Sequence, residues 1–558
     1  MLTKEYFKFV AGGLFLLMAL LIFQSYLLAQ SYFPLGIFNY DVRGREYRLS
    51  QANETALIIN LNANYLSEMS QRAQNDLIVF SDTLSARVFR TDVIYDSVCW
   101  NTHNYYPLMH PVQVLNNDRL DRYISENQYP ADIHYADIWR FVHCVESIYG
   151  THSGVGTIRV AHQHFTHQPD HWPFIRRAGY WIQYYFGDAV KSVVIDNSAS
   201  DYWTPSALED FFSNDTGVGD SLDVYQHEYY PFYDASNPAG PAYMGDAFQN
   251  LLDERFIAGC ELTRSALNAS GNTHTTLEMY IQTNRAYIND TYFRRPTQAE
   301  IWLQAFLALS RNFKGIHCYV HRTAPPGSYE GYPAWYDSGL VTMDVPRSPI
   351  NNSFNHQPYN NVAQLFAHLS SLGPQLLSLT VDTAFTWTGS IPPAFPLIQE
   401  ITGYVLDGNH PTIEVSIMDD PGNNYDYFLL VNRRCSSDNN GTPAAPQTIT
   451  VRTNKSGQYQ IKDLYSNELF VSSDGYFRNI TIGPGRGRLF ELRQMFVNNE
   501  NWANTINVSS DITVPQNHSL TISANSTIKF YSGAELKVSG SLKARGTSSQ
   551  HILWDFYC

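Results

Sequence analysis

Thr276-Leu-Glu-Met-Tyr-Ile-Gln282 alternates strictly, with Leu277, Met279 and Ile281 on one face and Glu278, Tyr280 and Gln282 on the other. Pro296 then stands in the first turn of a helical stretch running from Thr297 to about Phe313. Gly315-Ile-His-Cys-Tyr-Val-His321 alternates again, Ile316, Cys318 and Val320 against His317, Tyr319 and His321. Strand, helix and strand in that order and length make a parallel βαβ unit. Closed into a (β/α)8 barrel, the apolar faces pack on the outer helices, so Glu278, Tyr280, Gln282, His317, Tyr319 and His321 are expected to point inward. Acidic and polar aromatic side chains in a barrel lumen suit a site better than a core.

Working outward, strands are expected at Phe33–Tyr40, Asn62–Tyr65, Asp76–Ser81, Thr157–His162, Ser192–Asp196 and Leu222–Tyr225. Helices are expected at Trp172–Phe186, Ser206–Phe212, Asp246–Leu267 and Asn360–Leu379. Residues 82–150 read as a long loop with inserted structure, and long βα loops are where barrels place function. The barrel is thus set at 30–390. Short strands at sandwich spacing follow in 391–495, among them Glu414–Met418, Tyr427–Val431, Thr448–Arg452, Tyr459–Ile461 and Gly487–Leu492. In 503–558 still shorter strands such as Ser519–Ile522 and Thr527–Phe530 are separated by tight turns. The fold class expected is α/β, a (β/α)8 TIM barrel followed by an all-β sandwich and a short β-helix-like tail.

The order of barrel, sandwich and surface module resembles exported glycoside hydrolases of the large (β/α)8 clan over residues 33–495. The stretches carrying the likeness are Arg295-Pro-Thr-Gln-Ala-Glu300 through Ile316, the Tyr230-Pro231-Phe232 corner, Leu429–Arg433 and Gly483–Leu492. The tail resembles the first coils of a right-handed parallel β-helix of bacterial surface proteins, which needs successors or a cap to bury its faces. The resemblance implies an acid/base carboxylate at the end of strand four and a nucleophile at the end of strand seven, about 5 Å apart in a retaining enzyme. This chain departs from that pattern: strand four ends Ala161-His-Gln-His164 and strand seven ends Gln282-Thr-Asn-Arg285.

The remaining acids define an atypical catalytic set. Glu228, just past strand six, lies nearest a barrel mouth and is the candidate general acid, against the plainer reading of a solvated loop acid. Asp196 ends strand five, where holding a water or hydroxyl competes with capping the next turn. Asp223 and Glu278 share the lumen-facing pattern below the mouth, and a buried ion pair, for instance Glu278 with Arg159, is the commoner use of such acids. Gln282 replaces the expected acid and is the first candidate for a substrate hydrogen bond. Tyr280, Tyr230, Trp335 and Trp203 are candidates for stacking on sugar faces, with His164, His227, His317 and Tyr319 beside them. Among His162, His164, His227, His317 and His321 no pair has helical HxxxH spacing with an acid, so neither a metal nor a cofactor is expected.

Composition sets the outer bounds. At 558 residues the chain holds more than one core. Charged residues make up only 16% while aromatics reach 14%, which excludes disorder and suits carbohydrate recognition or an extracellular β-rich protein. A net charge of −15 without a basic patch argues against nucleic-acid binding. Lys4 and Lys8 precede the apolar run Phe9–Phe23, so residues 1–29 read as a signal peptide or an N-terminal membrane anchor, and the body as secreted, periplasmic or on the cell surface. Six dispersed cysteines without CxxC spacing suggest isolated buried thiols and at most one bridge. The function expected is hydrolysis of poly- or oligosaccharide. The alternative is a non-catalytic glycan-binding barrel on the cell surface.

Overall fold

The computed structural model describes residues 33–39, 57, 60–63, 65–68, 90–94, 158–164, 190–196, 205–213, 224–233, 242–288, 291–319, 323, 336–342, 348–351, 357–389, 397–422 and 425–556. The expected targeting segment, Asp223, Trp203, Trp335, His321 and the expected strand Asp76–Ser81 lie outside the described residues.

Eight strands close a barrel in which every neighbouring pair is parallel. They are β1 (Leu35–Asn39), β2 (Tyr65–Glu68), β3 (Arg90–Ile94), β4 (Ile158–His164), β5 (Val190–Asp196), β6 (Val224–Glu228), β7 (Thr276–Gln282) and, after two strands of a loop, β10 (Ile316–Tyr319). For β2 to β5 the backbone alone is described. The third strand therefore falls at Arg90–Ile94 rather than 76–81, and the second and sixth lie a few residues later than their patterns suggested. The shift in β6 turns Glu228 from a loop residue into the last residue of a strand.

Alternation in β7 works as the sequence implies. Leu277, Met279 and Ile281 are buried in the core between barrel and helices. The helices described are α1 (Pro205–Ser213), α2 (Gly245–Leu251), α3 (Ala258–Ser270), α4 (Gln298–Leu309) and α5 (Pro358–Ser378), with one π-helical segment, Leu252–Ile257, joining α2 to α3. Local chemistry fixes their ends. Thr297 and Glu300 form a reciprocal capping box at the start of α4. Gly271, at φ +71°, closes α3 in the left-handed conformation. Lys314 caps α5 by donating its ammonium to the carbonyls of Leu376 and Leu379.

Helix α4 is buried on every side because it lies between the barrel and a β domain. The loop from β7 to α4 carries β8 (Arg285–Ile288) and β9 (Thr291–Phe293), which join β11 (Tyr336–Ser338) in a small antiparallel sheet. The β domain opens with β12 (Thr380–Thr386) and β13 (Ile398–Thr402), so its first strand precedes the expected boundary at 391. It continues through β14 (Ile413–Asp419), β15 (Asp426–Asn432), β16 (Gln447–Thr453), β17 (Tyr459–Asp463), β18 (Leu469–Ser472), β19 (Tyr476–Ile482) and β20 (Gly487–Gln494). The sheet β12-β14-β15-β20-β17-β18 and the sheet β13-β16-β19 enclose a core of Ile413, Phe428, Ile449, Phe470, Phe477 and Phe490. The opposite face of the larger sheet gives Met418, Leu429, Val431 and Leu489 to the barrel's helical layer, so the two share one core.

At the Gly-rich stretch 483–487 the two approach closely. A Cβ on Gly487 would meet the Phe306 ring at 2.4 Å, and one on Gly485 would sit 1.9 Å from the Ala299 carbonyl oxygen. Between them Arg486 stacks over the Trp302 ring at 3.9 Å. Two buried arginines complete the joint. Arg311 meets Glu414 at 2.5 Å, and Arg433 meets the same carboxylate at 3.4 Å and Asp253 at 2.6 Å.

The tail comprises β21 (Glu500–Trp502), β22 (Thr505–Val508), β23 (Ile512–Val514), β24 (Ser519–Ile522), β25 (Thr527–Phe530), β26 (Leu536–Val538), β27 (Ser541–Ala544) and β28 (Leu553–Phe556). They stack in three parallel sheets, β21-β24-β27, β22-β25-β28 and β23-β26, the second continuing the sandwich sheet through β18. Ile506, Val508, Ile512, Val514, Leu520, Ile528 and Phe530 fill the space between them. Cys260, Cys318 and Cys435 are free and buried.

Candidate active site at the barrel mouth

Two layers of polar side chains occupy the lumen. The lower layer joins β6, β7 and β10. Gln226 donates to Glu278 at 3.1 Å, and the Glu278 carboxylate lies 2.7 Å from His317 Nε2, with all three side chains fully enclosed. Glycine makes room for them. A Cβ on Gly36 of β1 would fall 1.9 Å from His317 Nδ1, and one on Gly315 would fall 2.8 Å from Glu278 Cγ. Glu278 is therefore tied into the barrel's interior below the mouth, with His317 as a partner; the Arg159 side chain expected beside it lies outside the described residues.

The upper layer lies at the carboxyl ends of the strands, where (β/α)8 enzymes carry their sites. Glu228 ends β6 at 5% exposure and accepts a short hydrogen bond from the Tyr230 hydroxyl. In the ladders its Cα faces Asp196 on β5 and Tyr280 on β7. The Tyr280 ring packs on His317 with centroids 4.9 Å apart, linking the two layers. Tyr230 lies 5.2 Å from Tyr319 and edge-on to Phe293 at 6.2 Å, forming an aromatic wall beside Glu228. His164 ends β4, one strand farther round.

Two candidates are used elsewhere. Gln282 has both ends of its amide engaged by backbone: Oε1 accepts from the Phe232 N–H at 2.9 Å, and Nε2 donates to the carbonyls of Phe232 and Arg294 at 3.1 and 2.8 Å. It brackets the Tyr230-Pro231-Phe232 corner against the β7–α4 loop instead of addressing a ligand. His227 belongs to the outward set of β6. It faces Gly259 and Thr263 of α3 and the Phe313 ring, and burial pushes its imidazole down to about 3. The neutral ring is part of the barrel–helix interface, so its expected role in binding substrate is withdrawn.

Sequence reading missed Gln226, because β6 was placed too early, and Phe293, which lies in the unforeseen loop sheet. It also gave no role to Arg294, which forms a bidentate pair with Glu300 at 2.5 and 2.8 Å and stacks over Tyr243 at 3.7 Å. The adjacent Arg295 donates to the carbonyls of Ser338 and Gly339, fastening the end of β11 to the segment between β9 and α4. Burial and the neighbouring Arg285 push its guanidinium down to about 10. Among the described residues, no group of three His, Cys, Asp or Glu side chains converges as a metal site would require.

No protein-family model matches this sequence, and no curated protein matches it. Solved structures do. A monomeric β-xylosidase from Caulobacter crescentus is 11% identical, covering 83% of this chain and 96% of its own, with a TM-score of 0.37. A catalytic mutant of the GH42 β-galactosidase Gan42B from G. stearothermophilus is 8% identical over 83% and 98%, with a TM-score of 0.43. The family 51 α-L-arabinofuranosidase AbfB from Bifidobacterium longum is 9% identical over 83% and 96%, with a TM-score of 0.39. The chain is similar to these glycoside hydrolases over 83% of its length.

Proposed function

We propose that this protein is an exported, glycoside-hydrolase-like barrel acting on poly- or oligosaccharide through an atypical carboxylate set. The observation that carries the reading is the pairing of Asp196 with Glu228 at the carboxyl ends of adjacent strands. Paired residues on neighbouring strands have Cα atoms about 4.8 Å apart, so the register sets a second acidic residue beside Glu228 at the same level of the barrel. Glu228, hydrogen-bonded by Tyr230, is the proton donor to the leaving oxygen, and Asp196 the partner carboxylate. Tyr230, half-buried at the mouth and backed by the buried Tyr319 ring, offers aromatic surface to a sugar ring. His317 supports the site from below through Tyr280. No cofactor enters this scheme.

A specific observation favours a second reading, a glycan-binding barrel without catalysis on the cell surface. Where strand seven would carry a nucleophile stands Gln282, committed to backbone, and the only carboxylate on β7, Glu278, is enclosed with His317. Export by residues 1–29, cleaved or retained as an anchor, belongs to either reading. So does the tail as the opening coils of a right-handed parallel β-helix, a reading supported by its three parallel stacks.

Glycan release from a polysaccharide panel by the parent protein and its Glu228→Gln and Glu278→Gln variants tests the first reading. Release that is lost in folded Glu228→Gln and retained in Glu278→Gln supports hydrolysis at the mouth. Saturable glycan binding with no release from any substrate establishes the second reading instead.

A further inference from the structure

The last residue of β7 and the one after it hold the aromatic side chains beside Glu228. Gln282 is fully buried, and its amide makes three bonds to two separate segments. Oε1 accepts from the Phe232 N–H at 2.9 Å, while Nε2 donates to the carbonyls of Phe232 at 3.1 Å and Arg294 at 2.8 Å. The two segments also meet directly, the Arg294 N–H donating to the Phe232 carbonyl at 3.0 Å. Thr283 donates through its N–H and its hydroxyl to the Tyr319 carbonyl, at 3.1 and 2.8 Å. Behind them Gln304 of α4 clasps the Gln282 backbone, accepting from its N–H at 2.9 Å and donating to its carbonyl at 3.1 Å.

These ties reach the side chains that shape the mouth. Phe232 follows Pro231, whose ring fixes its own φ and restricts Tyr230 to extended backbone, so the hold on Phe232 reaches Tyr230 through a stiff link. Arg294 follows Phe293, against which the Tyr230 ring packs edge-on at 6.2 Å. Tyr319, held by Thr283, is the other ring beside it, at 5.2 Å. We propose that Gln282 is a positioning residue: through Phe232 and Arg294 its amide sets the Tyr230 ring against Phe293 and Tyr319, and so keeps the Tyr230 hydroxyl on Glu228. The proposal rests on the reading of Glu228 as the proton donor at the mouth, and Gln282 acts without touching substrate.

The surroundings of position 282 call for an amide. Two carbonyls need two donors and one N–H needs an acceptor, which is the inventory of a glutamine side chain. A carboxylate there would turn oxygen toward two buried carbonyls, whose lone pairs repel it. A methionine fills nearly the same volume but leaves the Phe232 N–H without its acceptor. The residue standing where the resemblance implies a nucleophile thus supports the acid on the neighbouring strand, β6. A displacement of about 1 Å at a group serving the reacting atoms can lower a rate on the order of 100-fold, so a slackened Tyr230 should show in turnover.

Fluorine NMR of the full chain carrying 3-fluorotyrosine in place of Tyr230 tests the proposal, in the parent, Gln282→Met and Gln304→Met. The last variant frees only the Gln282 backbone from α4. The expected result is one resonance, well away from its position in the unfolded chain, that moves toward that position in folded Gln282→Met and less far in Gln304→Met. An unmoved resonance in folded Gln282→Met overturns the proposal; should that variant not fold, an unmoved resonance in Gln304→Met does so. Glycan release is the second arm. Gln282→Met should lower kcat about 100-fold, and added to Tyr230→Phe it should lower kcat no further than Tyr230→Phe alone. Additive losses would make Gln282 a packing residue and overturn the proposal. A parent that releases no glycan removes the hydrolytic reading by itself, and the resonance still decides whether Gln282 sets Tyr230.

Discussion

His317 Nε2 stands 2.7 Å from the Glu278 carboxylate inside the barrel, in space that exists because residues 36 and 315 have no side chain. Gly36→Ala should therefore force the imidazole off the carboxylate, at a cost of about 1–3 kcal/mol. Glu278→Ala should cost about 3 kcal/mol by leaving the pair broken in the core, and Glu278→Gln less. Urea unfolding midpoints measure all three. A neutral Gly36→Ala would mean the pair is not packed as described.

Acid should destabilise the fold before its carboxylates titrate. Burial lowers His227 to about 3 and His368 to about 4, from 6.5. His368 lies against Trp302, Phe306 and Tyr465, with neither ring nitrogen hydrogen-bonded; Arg486 nearby lowers it further and Asp463 opposes. As pH falls from 6.5 to 4, the unfolded chain takes up protons that both buried rings refuse, so stability decreases through that window. Above 6.5 the effect is absent. A His368→Phe variant should show a flatter acid limb in melting temperature against pH.

Glu414 holds two guanidiniums at the seam between barrel and sandwich. Glu414→Ala should cost about 3–5 kcal/mol, because Arg311 would keep a buried charge and lose its closest carboxylate. Guanidinium chloride unfolding followed by tryptophan fluorescence would show the loss. A change below about 1 kcal/mol would be the value of an exposed pair and would count against a tight joint.

Gly485 and Gly533 adopt nearly the same left-handed backbone, at φ +67° and +82°, in different surroundings. A Cβ at 533 meets open space, whereas one at 485 meets the Ala299 carbonyl. Gly533→Ala should cost only the left-handed strain, about 1–2 kcal/mol. Gly485→Ala should cost clearly more, and parallel melts of the two variants isolate the price of the helix–sandwich contact. Equal losses would show that the contact can yield.

The barrel was legible because alternation in β7 and β10 and the helix between them are local patterns. Strands of the sandwich were legible for the same reason, as in Tyr427–Val431. The third barrel strand was misplaced because Asp76–Ser81 has a better strand composition than Arg90–Ile94, and propensity does not decide which segment fills the slot in a closed barrel. At the site, the face of Glu278, Tyr280 and Gln282 was legible and their partners were not. Gln282 looked available until its amide was found holding Phe232 and Arg294, contacts that depend on how a loop returns to the strand end.

By itself the sequence determined the periods: a two-residue repeat in the strands, helices with their caps, and a change to short β strands after the barrel. These follow from the geometry of the backbone and the placement of apolar side chains. Tertiary structure alone decided that Glu278 meets His317, that Glu228 faces Asp196 and binds Tyr230, and that His227 turns to the helices. Apart from Glu228 and its near neighbour Tyr230, those contacts join different elements of the chain. Which of them touch is set by the register between strands, and a shift of one residue moves a side chain to the other face.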